Sequence, residues 1–521
     1  MNLKSCIAKL CAPRDAKPLP WKMLSAMLLV MILKTMNTTM IYAFLPKLVK
    51  SFGTSEADTG YYAGIIACSM GIGQTISSLM WGYIADVKGK KPTLIASTTL
   101  IMFTTLAFGF TSNFDWAVTT RFMQGSSLGI SLISKSILAN VCDDTNMVFG
   151  MSILFSTASV GFIIGPSIAG FLAFPSEQYP DTFPEDSVFG RFGILLPNLV
   201  LAIGFAIGVF LLVLFIPNES RNDENENERT PLFESLTHSQ GNLTDRATEV
   251  KTQSSLVKFK LQTRDGGQKR GWKAWLAKIK TYKLIKLLCM KDYAQINLVY
   301  FVSGVTKLGS HELLPLFLAS SAEYHGMGFS TSKIGLTLLM VSLCFLPTQL
   351  TIVPKVIRRY GSRKALIGGN LLFAFICPWT PIINIISNRT AAWMAVVFVS
   401  FLQRIFMTIG LVAINILINN SVSPDLLGSA NGFSMIFFSL GRIIGPLIFG
   451  STFSWSLKNI RDVSSNNNPI GFPFDQYFSF YVLSFMSILN SFFASRISTG
   501  LDKKKKVSFE VNGEQECSTK I

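Results

Sequence analysis

The sequence predicts an all-α membrane protein: twelve transmembrane helices arranged as two pseudo-symmetric six-helix bundles. Three observations carry this prediction. The 521 residues are 49% hydrophobic and only 15% charged, with a mean hydropathy of +0.41, too apolar for an ordinary soluble chain. The apolar residues fall in runs about 20 long, the length of helix that crosses about 30 Å of hydrocarbon at about 1.5 Å per residue. Glycine–proline patterns of the first half also return in the second.

The ruler places spans at 23–45, 61–84, 92–110, 116–138, 149–171 and 194–216, then at 295–318, 333–353, 365–386, 391–418, 428–453 and 477–496. The chain thereby divides into an N-terminal segment (1–22), a first bundle (23–216), a linker (217–293), a second bundle (294–496) and a basic tail (497–521). The first apolar run is long enough to span, so it serves as its own signal anchor rather than a cleaved leader.

Orientation follows from the basic residues in short loops. Lys4, Lys9, Arg14, Lys17 and Lys22 precede the first span, Lys88, Lys90 and Lys91 follow the second, Lys355, Arg358, Arg359, Arg363 and Lys364 follow the eighth, and Lys503 to Lys506 follow the last. All lie on one face, expected to be cytoplasmic, with both termini. The loop after the fifth span carries Glu177, Asp181, Glu185 and Asp186, which suits the opposite face.

The formal net charge of +17 comes largely from such membrane-flanking residues, so a nucleic-acid surface is not predicted. The eight cysteines include no C-x-x-C pair, which argues against a disulfide framework or structural zinc; neither metal nor cofactor is expected. No nucleotide-binding glycine loop or nucleophile elbow is visible, so the chain does not read as an enzyme. Within the linker, Trp272, Trp275, Leu276, Ile279 and Tyr282 recur at helical spacing among lysines, as in a helix lying on an anionic leaflet; a calmodulin-target helix has the same pattern. Glu228 to Phe233 faintly matches an acidic sorting signal, and Asn388-Arg-Thr390 is a sequon.

The repeat is explicit. Gly161, Gly165, Pro166 and Gly170 of the fifth span return as Gly441, Gly445, Pro446 and Gly450 of the eleventh, an offset of 441 − 161 = 280. Small residues let backbones approach closely, and each proline removes a hydrogen bond and bends its helix. Likewise Gly82, Asp86, Gly89, Lys90 and Lys91 after the second span are echoed around Arg358, Gly361 and Arg363 after the eighth, at an offset of 272.

Gly82-Tyr-Ile-Ala-Asp86-Val-Lys-Gly89-Lys90-Lys91 resembles the loop signature of the major facilitator superfamily, in which the Asp latches the cytoplasmic side closed; Arg358 departs from that Asp in the second copy. Arg121-Phe-Met-Gln124-Gly125 and Gly165-Pro166 are further superfamily-like pieces, the latter similar to a motif of its antiporters. More narrowly, Gly60-Tyr-Tyr-Ala-Gly64, Phe189-Gly190-Arg191-Phe192, Asn415-Ile-Leu-Ile-Asn-Asn420, Ala430-Asn431-Gly432 and Phe453-Ser-Trp-Ser456 resemble the plant zinc-induced facilitator-like family and its fungal and protist relatives. The resemblance implies proton-coupled export of organic ions, metal chelates or alkali cations from a plasma or vacuolar membrane. It also implies that the first, fourth, seventh and tenth spans line a central cavity.

Ionisable side chains inside spans cost several kcal/mol unless they are paired or hydrated, so each is a functional candidate. Lys34, Arg121, Lys135, Lys307, His311, Glu312 and Arg404 lie on the four spans expected to line the cavity, with Asn37 and Asn415 as neutral polar neighbours. Glu312 is the lone acid, so the chamber is expected to be electropositive and to favour an anion or chelate. Burial and neighbouring cations act on a carboxyl's proton in opposite senses, which makes Glu312 the first proton-coupling candidate and His311 the second. The resemblance implies an acid where Lys307 stands, which points to relocation of the proton site. Lys135 reads as a substrate contact or a snorkelling lysine, Arg121 and Arg404 as substrate contacts or structural latches, and Arg442 as a structural partner of the eleventh-span motif.

The chain is thus expected to be a secondary transporter, a proton-coupled exporter working by alternating access as a monomer, with protons, a small molecule or ion, and the lipid bilayer as its partners. Two alternatives stand beside it: an uncoupled facilitator or importer, and a sensor on a transporter scaffold. Substrate identity and the residence membrane are not encoded.

Overall fold

The computed structural model describes residues 20–141, 147–217, 290–422, 427–460 and 470–502. The amphipathic segment, the sorting signal, the basic tail and the side chain of Asp86 lie outside the described residues. Each expected span is helical. They are α1 (Trp21–Ser51), α2 (Thr59–Lys88), α3 (Lys90–Gly109), α4 (Phe114–Ser126 with Ile130–Val141), α5 (Met147–Leu172), α6 (Leu195–Phe215), α7 (Lys291–Ala319), α8 (Thr331–Tyr360), α9 (Ser362–Ile376), α10 (Arg389–Ser421), α11 (Leu427–Leu457) and α12 (Phe478–Ser495). Among the described residues eight of them, α1, α3, α6 and α8 to α12, are long and apolar enough to cross a membrane, while α7 carries Lys307 and Glu312. Large apolar side chains turn outward, among them Phe210, Phe375, Phe398 and Phe485, each at least 60% exposed, as a lipid-facing surface requires.

Several helices outrun the 20-residue ruler, since backbone hydrogen bonding carries a helix past the end of its apolar run. α8, expected to end near 353, continues to Tyr360 through Pro354. Two spans are also broken where hydropathy shows nothing. In α1 the helix is interrupted at Met40, where the Ala43 amide donates to the Met40 carbonyl, and Pro46 removes the amide that would reach Tyr42. In α4 the break covers Ser127 to Gly129.

The sequence repeat is a spatial one. Gly89 and Gly361 hold φ of +92° and +80°, a left-handed turn natural to glycine, and each joins two consecutive spans. Lys91 Nζ then donates to the Val213 carbonyl at the end of α6 (3.2 Å), and Arg363 donates to the Ser495 carbonyl at the end of α12. Each cation satisfies a carbonyl at a helix C-terminus, where the helix dipole favours positive charge.

The glycine motifs show the same symmetry. A Cβ on Gly161 or Gly165 would lie 2.5 Å or less from Thr35 or Thr39 of α1, and one on Gly441 or Gly445 would lie within 2.7 Å of the α7 backbone. The last glycine of each motif reaches the other half. Gly170 of α5 meets Gly335 of α8, where an added Cβ would sit 2.6 Å from Cα, and Gly450 of α11 meets Gly60 of α2, 2.3 Å from its carbonyl oxygen. Expected as bending elements, these residues stand at close contacts within each half and between halves; α5 and α11 run as single helices through Pro166 and Pro446.

Five polar contacts between described residues join the halves, all at the face where α1 ends and α2 begins. Lys458 pairs with Asp58 (2.5 Å), the Ser321 amide donates to Glu56 Oε1 (2.5 Å), and Lys50 Nζ donates to the Ala319 carbonyl (3.4 Å). The Tyr61 amide donates to Ser454 Oγ (2.7 Å), and Ser332 Oγ donates to Gln178 Oε1 (2.6 Å). These contacts make this the closed face of the molecule. At the same face Asn388, the sequon residue, is the N-cap of α10, accepting from the amides of Thr390 and Ala391.

Candidate functional site

Between the halves lies a small cavity of about 40 Å³. Its walls come from α1 (Tyr42), α5 (Phe162, Pro166), α7 (Ser310, His311), α8 (Leu338, Val341) and α10 (Gln403, Arg404). Of the four spans expected to line a cavity, α1, α7 and α10 line this one. α4 contributes no wall residue; α5 and α8 take its place because the Gly170–Gly335 contact draws these two helices together across the interface.

His311 is the ring at the boundary. Tyr42 meets it edge-on from one side and Phe162 from the other, each with ring centroids 5.7 Å apart. Both partners belong to the first half and His311 to the second, so this aromatic group spans the interface. The Arg404 guanidinium lies between the rings of Phe162 (5.9 Å) and Phe345 (5.8 Å), and its Nη1 donates to Ser342 Oγ at 2.6 Å. Arg404 is thus held in a fixed direction at the cavity wall.

Glu312, the next residue along α7, points away from this wall and is 2% exposed. Its Oε2 has no hydrogen-bond partner among the described residues. The positive charge that acts on it is Arg121, itself 2% exposed, which donates to Gln124 Oε1 (2.7 Å) and lies over the Phe108 ring (5.0 Å). Tyr42 is within electrostatic reach of Glu312, Arg121, Arg404 and Arg442 at once. Lys34 is within reach of Arg442 and Lys135, and Lys307 within reach of Arg404 and Arg442.

Seven of the candidates therefore form one field of charges around the interface, though only His311 and Arg404 line the cavity itself. Arg442, read from sequence as a structural partner, belongs to the same group. Asn37 does not: it is fully buried, with Oδ1 accepting from Thr105 of α3 at 3.2 Å. Asn415 is exposed in the half of α10 away from the closed face, where its Nδ2 returns to the Leu411 carbonyl (2.6 Å). Tyr42 and Phe162 were missed because neither carries a charge; the available signal was Pro46, four residues after Tyr42, which marks the helix break. Among the described residues no group of His, Cys, Asp and Glu has the makings of a metal site.

The fold has counterparts among known proteins. The chain is 28% identical over 450 residues to Protein ZINC INDUCED FACILITATOR 1 of Arabidopsis thaliana, covering 85% of this chain and 86% of that protein. It is 29% identical over 443 residues to Protein ZINC INDUCED FACILITATOR-LIKE 1 of the same plant, covering 84% and 85%. It is 25% identical to the multidrug transporter mfsB of Aspergillus fumigatus, covering 85% and 80%. Its fold matches the crystal structure of a D-xylose–proton symporter at a TM-score of 0.64 with 15% identity, over 93% of this chain and 99% of that one. It also matches an inward-facing bacterial homologue of the human lysosomal transporter Spinster at 0.61 with 15% identity, over 94% and 99%. The profile of the Major Facilitator Superfamily matches residues 27–295 and 296–508. With two six-helix halves closed at one face around a cavity, and a profile match through both, the chain belongs to the Major Facilitator Superfamily, an integral membrane transporter rather than an enzyme.

Proposed function

We propose that this transporter is a proton-coupled antiporter exporting a small organic anion or metal chelate. The observation that carries the reading is the buried carboxyl of Glu312, the one buried acid among the described residues, with an unpartnered oxygen and Arg121 as the charge acting on it, beside the further cations Arg404 and Arg442 that reach Tyr42. Removed from water, a surplus of cations is an unfavourable arrangement until an anion enters, and an alkali cation would meet repulsion there. Exchange requires that substrate and proton exclude each other: a donor group of the substrate engaging the unpartnered Glu312 oxygen favours the ionised carboxylate, so the proton leaves as the substrate arrives. Reprotonation of Glu312 from the other face weakens that contact and releases the substrate. His311, ring-packed between Tyr42 and Phe162, senses the same charges and moves with the interface.

The relatives support transport: one is named a multidrug transporter and others zinc-induced facilitators. In this reading the basic-loop face is cytoplasmic and the closed face is outer or lumenal, in a plasma or vacuolar membrane. The protein works as a monomer, and residues 217–293 form a cytoplasmic linker. The test is a screen in proteoliposomes holding a pH-sensitive dye. Organic anions or metal chelates added on the basic-loop side drive proton movement, and K⁺ does not. Substrate uptake with no accompanying proton flux would assign the chain to the uncoupled facilitators.

A further inference from the structure

The closed face carries more than apolar contact, and the polar groups there are arranged in two charged pairs. In the first, Lys50 and Glu56 of the first half lie 3.1 Å apart and both reach the end of α7: Lys50 Nζ to the Ala319 carbonyl (3.4 Å) and Glu56 Oε1 to the Ser321 amide (2.5 Å). A cation at the C-terminal carbonyls of a helix and a carboxylate at the amide just beyond them complement one helix end on both counts. In the second, Asp58 meets Lys458 at the end of α11 (2.5 Å), with the Ser55 hydroxyl donating to the same carboxylate (2.7 Å). Ser55 also accepts from the Asp58 amide as N-cap of the single 3₁₀ turn Glu56–Asp58, so one short turn aims both carboxylates across the interface.

We propose that Lys50, Glu56, Asp58 and Lys458 form a clasp that holds the closed face shut by gripping the ends of α7 and α11. α7 carries Lys307, His311 and Glu312, and α11 carries Arg442, so the clasp fixes the two helices that bring the second half's charges into the cavity. These are positioning residues: none lines the cavity. It rests on the alternating access assumed above. An exposed ion pair is weak by itself, worth about 1 kcal/mol or less, but a rocking equilibrium poised between two faces responds to changes of that size.

The test uses the full chain with its eight cysteines replaced and spin labels at Glu185 and Ser387, which lie in closed-face loops of opposite halves. Pulsed electron–electron distances in detergent or nanodiscs are expected to show one dominant short separation. Glu56→Gln and Asp58→Asn are each expected to raise the long-distance population relative to the short one by about two- to fivefold. The charge swap Asp58→Lys with Lys458→Asp is expected to restore the short separation, which a misfolded variant would not do. Distributions unchanged in the single variants, or a swap that leaves the long population in place, would overturn the clasp. Distances are read without substrate or proton gradient, so that outcome leaves the proton-coupling reading untouched.

Discussion

The Tyr42 phenol ring meets the His311 imidazole edge-on, centroid to centroid at 5.7 Å, across the boundary between the two halves. An edge-to-face pair of this kind is worth about 0.5–1.5 kcal/mol beyond the area it buries. Tyr42→Phe keeps the ring and is expected to leave substrate-driven flux within about twofold, while Tyr42→Ala removes it and is expected to lower flux about tenfold. Equal loss in both variants, measured in proteoliposomes, would assign the role to the hydroxyl instead of the ring.

The halves touch through backbone at Gly170–Gly335 and at Gly60–Gly450, where an added methyl has no room. Gly170→Ala and Gly450→Ala are expected to cost about 1–3 kcal/mol and to lower the melting temperature of the purified protein. Gly368→Ala on α9 is the matched control, because its Cβ would meet nothing within 4 Å and alanine is the better helix former by about 1 kcal/mol. A melting temperature that falls as far for Gly368→Ala as for Gly170→Ala would contradict the close-contact account.

Acidity is expected to leave the Asp58–Lys458 pair intact over the physiological range. Lys458, and then the Ser55 hydroxyl, hold the Asp58 carboxyl below the usual carboxylate range; Glu56, Glu323 and Tyr324 are the other titratable groups close by. A carboxyl lowered on folding contributes stability that is present above its unfolded value of about 4 and is lost only as pH falls through the lowered folded value. The shift in spin-label distance caused by Asp58→Asn is therefore expected to be the same at pH 7.5 and pH 5.0. A shift that disappears at pH 5.0 would mean that the carboxylate is already protonated there.

Much of this molecule was legible in its sequence, for physical reasons. Lipid demands long apolar helices, so hydropathy located all twelve spans, and gene-scale repetition left the 280- and 272-residue offsets that the Gly89/Gly361 and Lys91/Arg363 pairs realise in space. Intramembrane charge singled out Glu312, Arg404 and His311, since few other reasons exist to keep such residues in hydrocarbon. What stayed hidden depends on contacts between distant segments. Tyr42 and Phe162 look like ordinary apolar lining until both flank His311. Arg442 looks local to its glycine motif until α11 turns it toward Lys34 and Lys307. Asn37, polar and in mid-span, reads as a cavity residue, but its hydrogen bond goes to Thr105 of a neighbouring helix. The clasp is spread over Lys50, Glu56, Asp58 and Lys458, loop charges of the most common kind, which acquire a role only where the halves meet.

The central claim is that Glu312 carries the transported proton, and its most direct measurement compares wild type, Glu312→Gln and Glu312→Asp in liposomes holding a pH-sensitive dye. Substrate-driven proton flux is expected in the wild type, to fall at least about a hundredfold in Glu312→Gln, which keeps the shape but has no titratable proton, and to survive in part in Glu312→Asp. Binding of the substrate by the purified Glu312→Gln protein is expected to persist. Proton flux in Glu312→Gln equal to the wild type would contradict the account and place the coupling proton elsewhere.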